Sequence, residues 1–371
     1  MREQPLAVLH LLLTMGETSS GYNEHCLPMA DRRAISICTY YKPQVTPPGN
    51  ITVFAGDDTV PGFFRALRAA LAAREYDIIH AHSVHVALFF LMAGLLGRAR
   101  LIPSSVVTLH TSFPNYKLRN RLIVLPAFAL FRRLVCCSYA SFDSFPSFFK
   151  RLAGERLCVV QNGLDVERLD GAARRYAPKP PGEPFTLVAV GRLIPVKNPL
   201  VAQRAFREAD DRASRMVFVG EGHLRELLVA EQRPGELAGR VELTGLVPRE
   251  RVYEHLIRSD VFISTSRIEG LPVAVIEAMA CRRPVILSDI PPHREIAAGA
   301  DFIPLVPPDD VAGFAREIER LRRMSPAERA SIGERCRAIV QERFSLDAMH
   351  RGYDAVYGQV LGQVWSGERV Y

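Results

Sequence analysis

Short apolar runs alternate with longer helix-patterned stretches from one end of this 371-residue chain to the other. A parallel strand cannot turn tightly into its neighbour; the chain must cross back over the sheet, usually as a helix. Sustained alternation therefore predicts α/β architecture, with parallel sheets covered by helices on both faces. The expected strands of the first half are Ala7–Leu13, Ile35–Tyr40, Asp77–His82, Ser105–His110, Leu134–Cys137 and Leu157–Val160, with helices such as Pro61–Ala73 and His85–Leu96 between them. The second half repeats the scheme with Thr186–Val190, Met216–Val219, Val241–Thr244, Val261–Thr265, Pro284–Ser288 and Phe302–Leu305. Between the halves, Gly171–Pro184 holds four prolines and two glycines and reads as a linker. Two Rossmann-like, doubly wound domains are expected, residues 1–170 and 171–345, with functional residues just after their strands.

Composition narrows the class. Apolar residues make up 48% and charged residues 23%, enough for two hydrophobic cores and inconsistent with disorder. The seven cysteines include no C-x-x-C pair, and most lie in apolar surroundings, which reads as buried thiols in a reducing compartment. No apolar run approaches the ~18 residues of a membrane-spanning helix. The run Ala7–Leu13 is expected to be a buried strand, not a secretion signal. Ala87–Leu96 and Leu122–Phe131 are short, and Pro126 interrupts the second. The expected location is cytoplasmic, with peripheral attachment to the inner membrane face as an option.

The net charge of +7 is unevenly placed. Residues 78–142 hold no Asp or Glu but carry Arg98, Arg100, Lys117, Arg119, Arg121, Arg132 and Arg133. Such a basic, apolar-rich stretch within 98–133 suits an anionic membrane surface, or it is a solvated rim around a core helix. Nucleic acid is not expected, because aromatic residues do not interleave with the basic ones.

The strongest motif is Thr265-Ser-Arg-Ile-Glu-Gly-Leu-Pro-Val-Ala-Val-Ile-Glu-Ala-Met-Ala280. A strand ends near Thr265, and a helix is expected to open at about Pro272, where proline costs no hydrogen bond. The amides of Gly270, Leu271, Val273 and Ala274 then surround a partly positive helix end suited to phosphate or sugar hydroxyls. Glu277 lies two turns in, eight residues after Glu269. A carboxylate can accept from the vicinal hydroxyls of a ribose or hexose. This Glu-x7-Glu in its strand–loop–helix setting resembles the signature of family 4 (group 1) retaining glycosyltransferases.

The resemblance implies a GT-B fold, two Rossmann-like domains facing a central cleft, with the C-terminal helix (about Leu346–Val360, within 346–371) returning to the first domain. It implies that Glu269 lies by the donor sugar and that Glu277 holds the nucleotide ribose. In Val190-Gly-Arg-Leu-Ile-Pro-Val-Lys-Asn-Pro199, Arg192 and Lys197 share a loop after a strand, and Asn198 and Pro199 read as N-cap and first turn of a helix. An arginine can grip phosphate oxygens bidentately and a lysine adds a point charge. The family places an Arg and a Lys at these positions on the donor diphosphate. Gly220-Glu-Gly222 resembles the family's turn bordering the donor site, and Leu243–Pro248, including Leu246 and Val247, resembles the loop lining the base. With Gly270, Leu271, Pro272 and Val273 these complete the expected donor site. His110 matches a family histidine that contacts the sugar. Val160–Asp165 matches a segment near the family's hinge.

Departures exist as well. The paired glycines usual in the family's first loop are replaced by Gly16-Glu-Thr-Ser-Ser-Gly21, leaving Ser19, Ser20 and Gly21 as expected acceptor contacts at a helix start that Pro28 should cut short. Arg282 stands where the family often has glycine. His80, His82 and His85 look like a metal cluster, but the strand end they occupy is not metal-binding in the family; with no Asp-x-Asp motif either, neither metal nor other cofactor is expected. The implied activity is retaining transfer from a nucleoside diphosphate sugar to a glycan or lipid-linked hydroxyl in cell-envelope, polysaccharide or glycolipid synthesis. A non-catalytic nucleotide-sugar-binding regulatory subunit and a sugar-nucleotide epimerase stay as alternatives. A nicotinamide dehydrogenase is disfavoured, since Arg225 stands where the third glycine of a dinucleotide fingerprint would be.

Overall fold

The computed structural model describes residues 5–362 apart from 18, 95–98, 117, 178, 181, 210, 211 and 233–236. Arg98 and Lys117 of the basic stretch and residues 363–371 therefore lie outside the described residues, as do the side chains of Arg100 and Arg119. The chain divides into two compact units, one of Met1–Gly163 with Leu346–Tyr371, the other of Leu164–Ser345.

The first unit holds seven strands: β1 (Ala7–Leu12), β2 (Ala34–Thr39), β3 (Thr52–Phe54), β4 (Ile78–Ala81), β5 (Ser105–Leu109), β6 (Arg133–Cys136) and β7 (Leu157–Val159). They pair in parallel in the order β3-β2-β1-β4-β5-β6-β7. All six residues of β1 are buried, as expected for a central parallel strand covered on both faces. Alternation sorts them: Leu9 and Leu11 join a core with Phe63, Phe90 and Phe128, whereas Val8 and Leu12 face Met349, Tyr353 and Tyr357 of the helix Leu346–Val360. Hydrogen bonds tie this helix down. Tyr357 Oη lies 2.7 Å from His80 Nδ1, Tyr353 Oη 2.8 Å from Thr108 Oγ1, and His350 Nε2 2.8 Å from the Glu24 carbonyl. Arg33 pairs with Asp354.

The second unit holds β8 (Thr186–Val190), β9 (Arg215–Val219), β10 (Val241–Leu243), β11 (Val261–Ser264), β12 (Val285–Ser288) and β13 (Leu305–Val306), all parallel, in the order β10-β9-β8-β11-β12-β13. Each sheet thus reverses its winding once, between β1 and β4 and between β8 and β11. Ligands of doubly wound sheets bind outside the strand C-termini at such a point.

Several expectations shift. Gly171–Arg175, expected as linker, is the second half of the helix Val166–Arg175, which Asp165 caps by accepting from Arg168 N at 2.9 Å. The proline-rich composition marks only the segment after it. The edge strand β3 was not expected; three half-exposed residues carry too little periodicity to read. The last strand forms at Leu305–Val306 instead of Phe302–Leu305, because the chain is still turning at Ile303, whose N–H bonds Ala300 O. The helix Leu118–Leu130 runs through Pro126. The carbonyl left without its donor belongs to Leu122, which is 76% exposed, so water can satisfy it.

Candidate functional site

The switch point of the second unit gathers the charged residues picked from the sequence. The β8 end continues into the loop of Gly191, Arg192 and Lys197; the β11 end continues through Thr265 to Glu269. Though some 70 residues apart in sequence, the two loops are stitched together. Thr265 Oγ1 donates to Asn198 O at 2.8 Å, and Arg267 N to Val196 O at 2.8 Å. The Lys197 ammonium then meets both oxygens of Glu269, at 2.6 and 2.8 Å. Ser266 Oγ also donates to Glu269 Oε1, at 2.7 Å. Arg192 is exposed and makes no ion pair among the described residues. One hollow is lined by Gly191, Arg192, Lys197 and Thr265 together.

Asn198 is the N-cap residue of the helix Pro199–Glu208, as expected, but its backbone is left-handed (φ 53°) and its side chain donates to Pro308 O at 2.8 Å instead of capping the helix amides. Gly220 and Gly222 brace the Arg192 loop from below. A Cβ on Gly220 would lie 2.2 Å from Gly191 O, and one on Gly222 2.3 Å from Leu193 O. Gly191 N donates to Val219 O and Leu193 N to Glu221 O, each at 3.0 Å. The Gly220 amide is itself committed to Gly245 O at 3.1 Å. This turn is thus seen supporting the loop, and its close backbone packing explains the glycines.

The helix after Glu269 spans Val273–Ala280, with Pro272 at the N-cap and not the first helical residue, because its carbonyl takes Val275 N at 3.0 Å. The N–H groups of Gly270, Leu271, Val273 and Ala274 have no partner among the described residues. Unsatisfied donors at a helix start form an anion-binding end. Glu277 is buried; Arg249 donates to its Oε1 at 3.0 Å and Tyr253 Oη lies 3.4 Å away. Burial raises the Glu277 carboxyl above its usual range, opposed by Arg249. Arg249 and Tyr253, on the helix Arg249–Ile257, were missed in the sequence. Leu246 is 88% exposed on its loop, while Val247 packs against the core.

His293 was also missed. It is fully buried beside this network, with Nδ1 2.8 Å from Ser288 O and Nε2 3.5 Å from Ser264 Oγ. Ser264 Oγ in turn donates to Ser266 Oγ at 3.3 Å. Burial lowers the His293 imidazole to about 4, so it is neutral near pH 7.

In the first unit, the loop after β1 leads to a π-helical turn, Gly21–Cys26. Ser19 Oγ donates to Thr14 O at 2.8 Å, and Ser20 Oγ donates to Glu24. The expected acceptor residues therefore hold this loop's own structure, with Gly21 allowing close contact with Leu12 and His82. His110 follows β5 and is half-buried; burial lowers it to about 4, and its Nε2 has no partner among the described residues. The grouping of His80, His82 and His85 that the sequence suggests, and that was not expected to hold a metal, is not the one that gathers. The rings of His80 and His82 lie 4.0 Å apart in a tilted pair with His10, His25 and His110 around them, while His85 stays outside.

At Arg282 the backbone is left-handed (φ 59°), which accounts for a glycine being suited there. Its ion pair with Glu334, at 2.7 Å, is at the surface.

Comparison with known proteins agrees with this geometry. The family model for glycosyltransferase family 4 matches residues 32–168, and that for group 1 glycosyl transferases matches residues 184–323. A Bacillus subtilis (strain 168) protein assigned to teichuronic acid biosynthesis as a glycosyltransferase is 27% identical over 300 residues, covering 76% of this chain and 71% of that one. The UDP-Gal:alpha-D-GlcNAc-diphosphoundecaprenol alpha-1,3-galactosyltransferase of Escherichia coli is 28% identical over 285 residues, covering 71% and 69%. Among solved structures, Anabaena HepE in complex with UDP and glucose superposes with a TM-score of 0.71 at 17% identity, covering 95% of this chain and all of that one. The two sheets, the motifs at their strand ends and these matches agree that the chain is a glycosyltransferase of family 4 (group 1), with the GT-B fold.

Proposed function

We propose that this glycosyltransferase uses a nucleoside diphosphate sugar and transfers the sugar to a hydroxyl with retention of anomeric configuration, in polysaccharide or glycolipid assembly. The observation that carries the reading is the joined pair of loops after β8 and β11. There an unpaired Arg192, the Lys197–Glu269 pair and four open amides at Gly270–Ala274 converge. In this structure Lys197 and Glu269 neutralise each other. A diphosphate would draw the ammonium away and free the Glu269 carboxylate to accept from sugar hydroxyls. Glu277, held by Arg249, would take the ribose hydroxyls. Leu246 would pack on the base, and Gly220 would keep the Arg192 loop in place. His110 would hydrogen-bond the transferred sugar, an assignment resting on the sequence match.

The bond from the anomeric carbon to the diphosphate breaks as the new bond to the acceptor oxygen forms on the same face, and the acceptor proton passes to the leaving phosphate. Charge stabilisation on the departing oxygens does most of the catalysis. It comes from Arg192, Lys197 and the helix start, so this step calls on no metal. The test is thermal shift and hydrolysis against a panel of nucleotide-sugars, with wild type beside Glu277→Ala and Arg192→Ala. One donor that stabilises and is turned over by wild type alone is the expected result. Donors that bind but are never turned over with any acceptor would support a regulatory subunit; no binding at all would move the donor site elsewhere.

The relatives named for diphosphoundecaprenol and diphosphopolyprenol acceptors point to a lipid-linked acceptor for this chain too. No described helix is long and apolar enough to cross a membrane. The helix Leu118–Leu130 instead exposes Leu118 (79%), Leu122 (76%) and Leu125 at successive turns. Phe148 and Leu152 are exposed on the helix Ser147–Ala153 beside it, with Arg132 and Arg151 also exposed. Apolar side chains flanked by cations fit the cytoplasmic surface of an anionic bilayer. Sedimentation with anionic vesicles should fall in Leu118→Ser/Leu122→Ser and in the fourfold neutralisation of Arg119, Arg121, Arg132 and Arg133. Unchanged sedimentation would leave those residues a solvated rim.

A further inference from the structure

Five histidines crowd the switch point of the first unit. Parallel pairing sets His10 of β1 opposite His80 of β4. His82 follows β4, His110 follows β5, and the π-helical turn Gly21–Cys26 adds His25. Ring centroids lie 4.7 Å apart for His25 and His82, 5.9 Å for His82 and His110, and 6.0 Å for His25 and His110. His80 is satisfied, bonding Tyr357 Oη through Nδ1 and Thr108 Oγ1 through Nε2, both at 2.7 Å. The others are not. Nε2 of His10, His25 and His110 and Nδ1 of His82 are buried without a partner among the described residues. A polar atom buried without a hydrogen-bond partner is costly, which calls for a physical reason.

We propose that His25, His82 and His110 bind one late first-row divalent metal ion of the zinc class. The three residues offer ligand atoms within 4.8 Å of one another. Tetrahedral zinc with bonds near 2.0–2.1 Å needs nitrogens roughly 3.3 Å apart, so the rings need to close by only about 1.5 Å. Imidazole is a favoured ligand of this class of ion, and it ligates when neutral.

The outer contacts fit as well. If His82 ligates through Nδ1, its Nε2 carries the proton and donates to His10 Nδ1, 2.9 Å away. Such a partner behind a metal-bound histidine fixes the tautomer and ring plane. His110 binding through Nε2 keeps its Nδ1–H for a substrate hydroxyl. Two of the rings, His82 and His110, line a cavity of about 300 Å³ with Asn115, Tyr116 and Asn120. It gives the ion a way in and leaves the fourth position to water or a substrate oxygen. All three ligands belong to the first unit.

The full chain, without a histidine tag, is stripped with chelator, dialysed and titrated with Co²⁺ and Zn²⁺. One Co²⁺ per chain with the strong visible absorption of four-coordinate cobalt is expected. Affinity should fall at least tenfold in His25→Gln and His110→Gln and hold in His85→Gln, with circular dichroism checking each fold. X-ray absorption of the zinc-loaded wild type needs no variant and should count three imidazoles. Absence of saturable binding by folded wild type, equal affinity in the His25 and His110 variants, or fewer than two imidazoles on zinc would each overturn the site.

Discussion

The two units place opposite chemistry at the same topological position. In the second, the switch-point loops carry formal charge: Lys197 against Glu269, Arg192 without an ion pair among the described residues, and Glu277 under Arg249. In the first, the equivalent strand ends carry neutral imidazoles and hydroxyls, with His80 bonded to Tyr357 and to Thr108, and Thr108 bonded to Tyr353. One fold supplies the same crevice twice, and the side chains after the strands decide what each crevice can hold. An ionic crevice with open amides suits a diphosphate; a crevice of neutral nitrogen lone pairs suits a metal ion or uncharged hydroxyls.

That contrast can be broken most sharply by activity. Lys197→Ala and Arg192→Ala should each lower kcat about 10²–10³-fold, the size expected for removing one preorganised partner of developing charge. His110→Ala should cost less. A larger loss at His110 than at Lys197, in steady-state turnover of the identified donor, would mean that the first unit supplies the main electrostatic stabilisation.

Backbone packing separates the units next. Gly222→Ala would drive a Cβ to 2.3 Å from a backbone oxygen. It should destabilise by about 3 kcal/mol and raise the donor KM by shifting the Arg192 loop. Gly352→Ala in the first unit would meet only the Val160 side chain, at 2.8 Å, and should cost about half as much. Chemical denaturation of both variants measures the difference; equal losses would show that the loop gives way easily.

A third probe uses His293, the one fully buried imidazole among the described residues of the second unit. Its folded-state value of about 4 lies below the ordinary 6.5, so between these pH values the unfolded chain binds a proton that the folded one does not. Its stabilising effect is complete above pH 6.5 and is lost as pH falls towards 4. The loss is about 2 kcal/mol at pH 5. His293→Gln should therefore shrink the stability difference between pH 7.5 and pH 5 by about that amount in denaturation curves. No change would mean that water reaches the ring.

The smallest effect is expected at Arg282. Relieving its left-handed backbone in Arg282→Gly should raise stability by about 1 kcal/mol, less whatever the exposed Glu334 pair contributes. A thermal melt that moves downward would show that the ion pair outweighs the backbone.

The ionic crevice was far more legible in the sequence than the neutral one. Glu269 and Glu277 share one loop and helix, and Arg192 and Lys197 share one loop, so each pair is near in sequence and the family resemblance assigns its role. The meeting of Lys197 with Glu269 needs β8 beside β11, which local pattern does not reveal. His10, His25 and His110 lie on three different segments; only strand order and a π-helical turn bring them to His82, and so the sequence offered His85 in their place. Arg249 and Tyr253 stayed hidden because a buried carboxylate does not announce which neighbouring helix neutralises it.

The helix Leu346–Val360 has a consequence for how the molecule is made. It buries Met349, Tyr353, Val356 and Tyr357 against strands from the other end of the chain. On the ribosome, the second unit has all of its residues before this helix emerges, while the sheet that began synthesis first waits with one face bare. The first-born unit is thus the last to be finished. Through that interval its apolar face and its unclosed histidines are what a chaperone would meet.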